Sequence, residues 1–286
     1  MLDLVRSIRR HRRLLRDFVV RDLKGRYIGS SMGFFWSIVF PLINLATYTF
    51  VFRLVLNMRW GNQQPGEQVV VMMFLGIVVW SAFAETISRS TNTLVENSNL
   101  IQKVVFPSEV LPLYLAVSSW VNMCIGLVFV FGAAFWWGYV NPAEPVEIPL
   151  QPGESPFAPF MFGAPLVLLP LLFVLQVTFA LGLGYLLAAL NLFVRDVFHL
   201  IGVALTVWMF STPIFYPAEL VRTKGFGWVL DLNPMAWLID AYRDVVLFAR
   251  WPDFALLGRF ALFAAVLFAL GAAFFQKSKS RFPDLL

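Results

Sequence analysis

Apolar residues are distributed along this chain in two ways. In residues 2–27, LDLVRSIRRHRRLLRDFVVRDLKGRY, the apolar Leu4, Ile8, Leu15, Phe18 and Leu23 recur near helical spacing. Basic side chains crowd the remaining positions, so the stretch predicts a helix with one apolar and one cationic face. Gly29 and Gly33 then let the chain turn. From Phe34 the pattern changes to long apolar runs, at roughly 33–56, 69–90, 109–138, 163–191, 197–216 and 254–275. Runs of this kind are read as helices that cross a bilayer. The expected fold is an all-α membrane protein of six transmembrane helices preceded by an amphipathic interfacial helix. Its parts are residues 1–30, the interfacial helix, and residues 31–286, the six-helix domain.

The runs are not uniformly apolar. Span 1 carries Ser37, Pro41, Asn44 and Tyr48 at steps of four, three and four, which puts them on one face. Polar groups in a span are costly unless they meet protein or water, so this face packs on a neighbour or lines a path. Span 3 has a similar row in Ser118, Asn122, Gly126 and Val130. Gln176, Ala180, Gly184 and Ala188 in span 4, and Ala261, Ala265, Ala269 and Ala273 in span 6, form small-residue rows suited to close helix contact. Between spans 2 and 3 the chain reads ETISRSTNTLVENSNLIQKVVFPSEVLPL; its apolar Leu94, Leu100, Ile101, Val104 and Val105 predict a short docked helix rather than a solvated connector. Spans 4 and 5 are separated only by a polar turn with Asn191, Arg195 and Asp196. After span 5, Pro213 and Pro217 interrupt the helix, and MAWLIDAYRDVVLFARW predicts a helix at the outer interface or dipping back into the bundle.

Composition agrees with a bilayer. The chain is 59% hydrophobic and 14% charged, with a mean hydropathy of +0.74, which excludes an ordinary soluble domain. Its one cysteine, Cys124, leaves no internal disulfide and reads as a packing residue. Nine of the Lys and Arg residues lie in the amino-terminal segment, so the basic excess points to membrane lipids rather than nucleic acid. No cleavable signal is expected, because the Arg-rich segment is long and no short apolar core with an A-x-A site follows. With the amino end inside, fifteen basic residues fall inside and seven outside. Both termini are therefore expected in the cytoplasm.

Catalytic patterns are missing from the sequence. There is no GxxxxGK[ST] phosphate loop, no HExxH, no cysteine cluster and no GxSxG elbow, and His11 and His199 are not spaced as a metal pair. Spans 3 to 6 have no acidic residue at their centres, which argues against a proton-coupled carrier. The chain reads as no enzyme, and the energy for any transport would come from another subunit.

Four segments in order carry a resemblance: RDLKGRYIGSSMGFFWSIVFP (21–41), NSNLIQKVVFP (97–107), NLFVRDVFHLIGVALTVWMFSTPIFYP (191–217) and LNPMAWLIDAYRD (232–244). Together they resemble the permease subunit of bacterial ABC transporters that export polysaccharide, of the O-antigen type, with teichoic-acid and capsule exporters as relatives. The resemblance implies a homodimer in the inner membrane, working with two copies of a separate ATPase that binds ATP and Mg. No cofactor is expected in this chain itself. It implies ATPase coupling through Asn97, Leu100, Ile101, Lys103 and Pro107, with Arg195 and Asp196 as a second contact. Segment 217–253 would supply short external gate helices, and Arg21, Lys24 and Arg26 would meet the lipid headgroup of a lipid-linked glycan. The loop 139–162 is longer than that pattern suggests. A sliding glycan favours aromatic surfaces, and Trp36, Tyr48, Trp80, Phe210 and Tyr216, with Asn44, are the candidates for a channel or gate because they adjoin polar faces or prolines. The competing readings are a permease for capsule, teichoic acid or a small amphipathic drug or lipid, and a membrane-bound enzyme or scaffold.

Overall fold

The computed structural model describes residues 10–26, 36–56, 66–103, 106–142 and 158–286. Among the described residues the chain is helical, apart from an isolated bridge between Met161 and Phe248. The amphipathic stretch forms α1 (Arg12–Gly25), which buries Phe18 and Val19. The Phe18 ring meets Tyr114 at 5.2 Å and Phe106 at 5.8 Å. Helix α2 (Trp36–Tyr48) contains Pro41 and widens into a π-helical turn, Thr49–Val55, where Leu56 N–H reaches Val51 O at 2.9 Å.

Helix α3 (Gly66–Glu96) is the axis of the bundle; its buried residues extend from Gln68 to Leu94. It outruns the apolar stretch of the sequence because Thr86, Ser90, Thr91 and Thr93 are buried with the apolar residues. Thr86 and Thr91 satisfy their hydroxyls on the carbonyls four residues back. The stretch expected to hold a short docked helix is largely helical: α3 ends at Glu96, the Asn97 side chain bonds Thr93 O, and α4 (Ser98–Lys103) follows. Helices α5 (Val110–Phe135, continued by the turn Trp136–Val140) and α6 (Leu169–Phe193, entered through the 3-10 turn Ala164–Leu168) pack on α3.

Helix α7 (Val197–Ser211) has 15 residues, a length of about 22 Å at 1.5 Å per residue. It stops where Thr212 turns extended ahead of Pro213, a conformation that a following proline favours. Short exposed helices α8 (Ala218–Thr223) and α9 (Gly227–Asp231) come next. Helix α10 (Pro234–Leu247) is not a surface helix: Met235, Leu238, Ile239, Tyr242, Val245 and Val246 are fully buried. Helix α11 (Phe254–Ser278) leads through a 3-10 turn, Lys279–Arg281, to α12 (Phe282–Leu285).

Among the described residues four stretches are long and apolar enough to cross a bilayer, Gly66–Glu96, Val110–Val140, Ala164–Phe193 and Phe254–Leu285, and Val39–Phe52 and Val197–Ser211 are shorter apolar helices. The span 4 row behaves as expected: Ala180 and Ala188 are buried, and Gly184 lies against Ser90. The span 6 row does not. Ala265 and Ala273 are exposed, and the packed face instead carries Phe260, Ala264, Gly271, Ala272 and Phe275. The reason is a backbone contact between α6 and α11. A Cβ on Gly271 would lie 2.0 Å from Gly182 O, and one on Gly182 would lie 2.6 Å from Phe268 N. The two glycines, rather than the alanines, set the rotation of α11. Of the loop 139–162, residues 143–157 lie outside the described residues.

Candidate functional site

The described basic residues of the amino-terminal segment divide into two groups. Arg10, Arg12, Arg13, Arg16, Arg21 and Lys24 are exposed, with the Arg21 guanidinium 4.3 Å above the Phe18 ring. Arg26 turns inward and joins a cluster that spans two helices. Arg26 Nε and Nη2 donate to Asp22 Oδ2 at 3.2 and 3.1 Å. Arg89 of α3 donates to Asp22 Oδ2 from Nη1 at 3.2 Å and to Oδ1 from Nη2. Glu85 Oε1 forms an ion pair with Arg26 Nη2 at 2.5 Å and accepts a hydrogen bond from Arg89 Nη1 at 3.2 Å. Two cations and two anions thereby fasten α1 to α3. Burial pushes the Asp22 carboxyl up, but the hydrogen bond and charge of Arg89, joined by those of Arg26, hold it below the usual carboxylate range.

Each half of the cluster has a local cause. Asp22 and Arg26 are four residues apart, as are Glu85 and Arg89, so each pair meets on its own helix surface. That spacing is the signal available in the sequence; the cross-pairing is not visible there, and Asp22, Glu85 and Tyr114 escape a search for cations alone. Beside the cluster opens a cavity of about 410 Å³, lined by Arg21, Arg26, Arg89, Asp22, Phe18 and Tyr114. Lys24 does not line it.

The residues expected to couple to an ATPase gather at the same end of the molecule. Leu100 and Ile101 are half-buried on an apolar cluster that includes Phe18, Leu94, Leu111, Leu192, Phe275 and Phe282, with Leu285 and Leu286 beside them. Lys103 is exposed, and Pro107 is half-buried with its carbonyl accepting from Val110 N. Val104 and Val105 lie outside the described residues. Arg195 and Asp196 are exposed in the tight turn into α7, which Asn191 braces by accepting from Phe198 N at 3.1 Å. A second ion pair, Lys279 Nζ to the buried Glu109 Oε2 at 2.6 Å, ties the end of α11 to the start of α5. Tyr185 of α6 donates to Glu109 O at 2.8 Å.

The channel and gate candidates are dispersed. Trp36 begins α2, and its side chain lies outside the described residues. Asn44 is exposed and lines a cleft of about 160 Å³ between α2, α3 and α5, with Pro41, Ser81, Glu85, Ser119 and Asn122. Glu85 thus belongs to both the cleft and the charge cluster. Tyr48 packs against Phe52 at 6.2 Å. Trp80 is 4% exposed and edge-on to Phe83 and Trp208, so its ring serves packing in this conformation. Phe210 is exposed, and Tyr216 folds back to donate to Phe210 O at 2.6 Å. Among the described residues no group of three His, Cys, Asp or Glu could hold a metal. The arrangement offers cations beside a cavity, a mainly apolar cleft with a few polar side chains, and aromatic faces.

A family model described as "ABC-2 type transporter" matches residues 14–247, from α1 through α10. The "O-antigen export system permease protein RfbA" of Myxococcus xanthus is 29% identical over 287 residues, covering 99% of this chain and 99% of that protein. A protein of the same name from Klebsiella pneumoniae is 27% identical over 268 residues, covering 93% of this chain and 92% of that one.

Proposed function

The chain belongs to the ABC-2 type transporter family, and from that premise we propose that it is the transmembrane subunit of an ATP-driven exporter of lipid-linked, O-antigen-like polysaccharide. The observation that carries this reading is similarity along nearly the whole length of proteins named as O-antigen export permeases. The chain is the permease rather than the ATPase. A separate subunit binds ATP and Mg, in keeping with the missing phosphate loop.

In this reading α2, α3, α5, α6, α7 and α11 are the six spans, and α1 lies in the inner face of the cytoplasmic membrane with both termini in the cytoplasm. The excess of basic residues at that end supports the orientation. The long apolar faces left exposed on α2 with its π-helical turn and on α7, Phe40, Ile43 and Leu54 on one and Leu200, Val203 and Val207 on the other, are covered by lipid and by a second copy of the chain. Helix α4 and the Arg195-Asp196 turn meet two copies of the ATPase, and α8 to α10 form the outer gate. Arg21 and Lys24 face lipid headgroups, Arg26 reaches them through the cavity that it lines with Arg21, and Asn44, Tyr48, Phe210 and Tyr216 border the glycan path.

Deleting the gene for this chain tests the proposal. Surface polysaccharide is expected to disappear while lipid-linked glycan accumulates on the cytoplasmic side. Unchanged surface polysaccharide would sink the reading, and loss of export of a small amphipathic compound instead would shift it to a drug or lipid permease. Reporter fusions at Leu286 and within loop 139–162 should report opposite sides of the membrane.

A further inference from the structure

The charge cluster between α1 and α3 is unevenly held. The Asp22 side chain is 11% exposed and receives four donor contacts from Arg26 and Arg89. Glu85 is 27% exposed and meets the same two arginines through one oxygen, Oε1. Glu85 is therefore the looser of the two anions. The cavity beside it also presents Arg21, which stacks on Phe18 and makes no ion pair among the described residues. Three guanidiniums thus face two carboxylates, leaving one cation in excess. Guanidinium forks match the oxygens of a phosphate as well as those of a carboxylate, and the Tyr114 ring on the cavity wall adds a hydroxyl donor. Glu85 also lines the cleft beside α2, where Ser81, Ser119 and Asn122 are the polar side chains of an otherwise mainly apolar wall.

We infer that this cavity is a binding site for a phosphate-class anion, and that Glu85 is an internal stand-in anion which leaves Arg26 and Arg89 when a phosphate enters. Asp22 stays in place as the permanent counter-charge and keeps α1 attached to α3 during the exchange. The empty site is then charge-paired and closed against loss of α1, while the filled site frees Glu85 toward the cleft beside α2. The assignment of the phosphate to a lipid headgroup rests on the export reading above. The anion chemistry does not.

The test uses the full-length chain, purified in neutral detergent without the ATPase, so that no nucleotide site competes for the probe. Inorganic pyrophosphate and short-chain phosphatidic acid are titrated by calorimetry, with phosphatidylcholine as the control. Wild-type chain binds the phosphate probes and ignores phosphatidylcholine. Arg89→Gln weakens binding about tenfold or more, the loss expected for a two-pronged charged contact. Arg21→Gln, which disturbs no ion pair, weakens it a few-fold.

The distinguishing variant is Glu85→Gln, which removes the competing anion and is expected to tighten binding about tenfold. Glu85→Asp, with its shorter reach, moves the same way by less and guards against misfolding of the amide variant. Binding that is unchanged or weakened in both Glu85 variants would overturn the stand-in role, and no binding of either probe to the wild type would overturn the site. Preference for phosphatidic acid over pyrophosphate identifies a lipid headgroup; equal binding identifies soluble phosphate. Surface polysaccharide measured in cells carrying each variant separates the two ideas: export without phosphate binding sinks this inference and leaves the export reading standing.

Discussion

Two ends of the bundle each hold a helix in place, and they do it by opposite means. At the basic end, α1 is fastened by Asp22, Arg26, Glu85 and Arg89, side chains that are 11 to 35% exposed. At the far end, α10 is fastened by Asn233 and an apolar shell. Asn233 Oδ1 accepts from Trp208 Nε1 at 2.9 Å and from Met235 N at 3.0 Å. Its Nδ2 donates to Thr212 Oγ1 at 2.9 Å and to Ser211 O at 3.2 Å. That uses the whole capacity of an amide side chain. Tyr242 donates to Gln176 Oε1, Gln176 in turn donates to Val79 O, and Arg243 reaches Pro213 O at 2.8 Å. Charges near water are screened and exchangeable. Saturated hydrogen bonds in an apolar setting have no substitute partner when broken. The charges of the basic end can exchange partners with ions from solvent, whereas the bonds of the far end fix the register of α7 against α10.

The largest effect tests the far end. Asn233→Leu keeps the approximate volume but strands Trp208 Nε1 and the Thr212 hydroxyl, and is expected to cost on the order of 3 kcal/mol. Thermal unfolding in detergent reads it, and a shift equivalent to under about 1 kcal/mol would show that the Asn233 bonds are dispensable. At the basic end, Arg89→Gln leaves Asp22 with one cation. The expected loss is about 2 kcal/mol, between the exposed and the fully buried case, and it falls on α1. Limited proteolysis should cut near Gly25 in the variant and spare α10; equal cutting of both would erase the contrast.

A smaller effect comes from acid. Because the Asp22 carboxyl titrates below its ordinary value when folded, its contribution is fully present above the ordinary carboxylate range. It is lost as the pH falls through the lower folded value. Protection of α1 from hydrogen exchange should therefore stay level from neutral pH down to mild acid and drop only beyond that range, while α10 protection persists. Release of α1 already near pH 6 would contradict the assignment. The smallest effect is for the exposed pair at the far end, Arg222 with Asp231 at 2.8 Å, both side chains more than half exposed. Arg222→Ala should change stability by under about 0.5 kcal/mol; a larger loss would mean that exposed charge also matters at the far end.

Much of the architecture is legible in the sequence. The apolar runs at 109–138, 163–191 and 254–275 match Val110–Val140, Ala164–Phe193 and Phe254–Leu285 closely, and the amphipathic pattern in 2–27 matches α1 where it is described. The break at Pro213 and the presence of a helix after Asn233 are also readable, from proline geometry and from the amphipathic pattern of MAWLIDAYRDVVLFARW. The candidate site is half legible. Arg21 and Arg26 stand out as cations near a span, whereas Arg89 reads as a topology marker and Glu85 as part of a connecting loop. Their meeting depends on the rotation of α3 and on the angle at which α1 lies across α5.

The sequence by itself determined which segments leave water and which end of the chain is cationic. Transfer to lipid is summed residue by residue along a segment and needs no knowledge of neighbours. Only the tertiary structure decided which face of each helix is buried and which charges pair. The contact of Gly182 with Gly271 overrides a regular row of alanines, and four charged side chains from two segments up to 67 residues apart in sequence close on one another. Those outcomes depend on distances between helices. A few ångströms there separate a paired charge from a stranded one, and no local pattern records them.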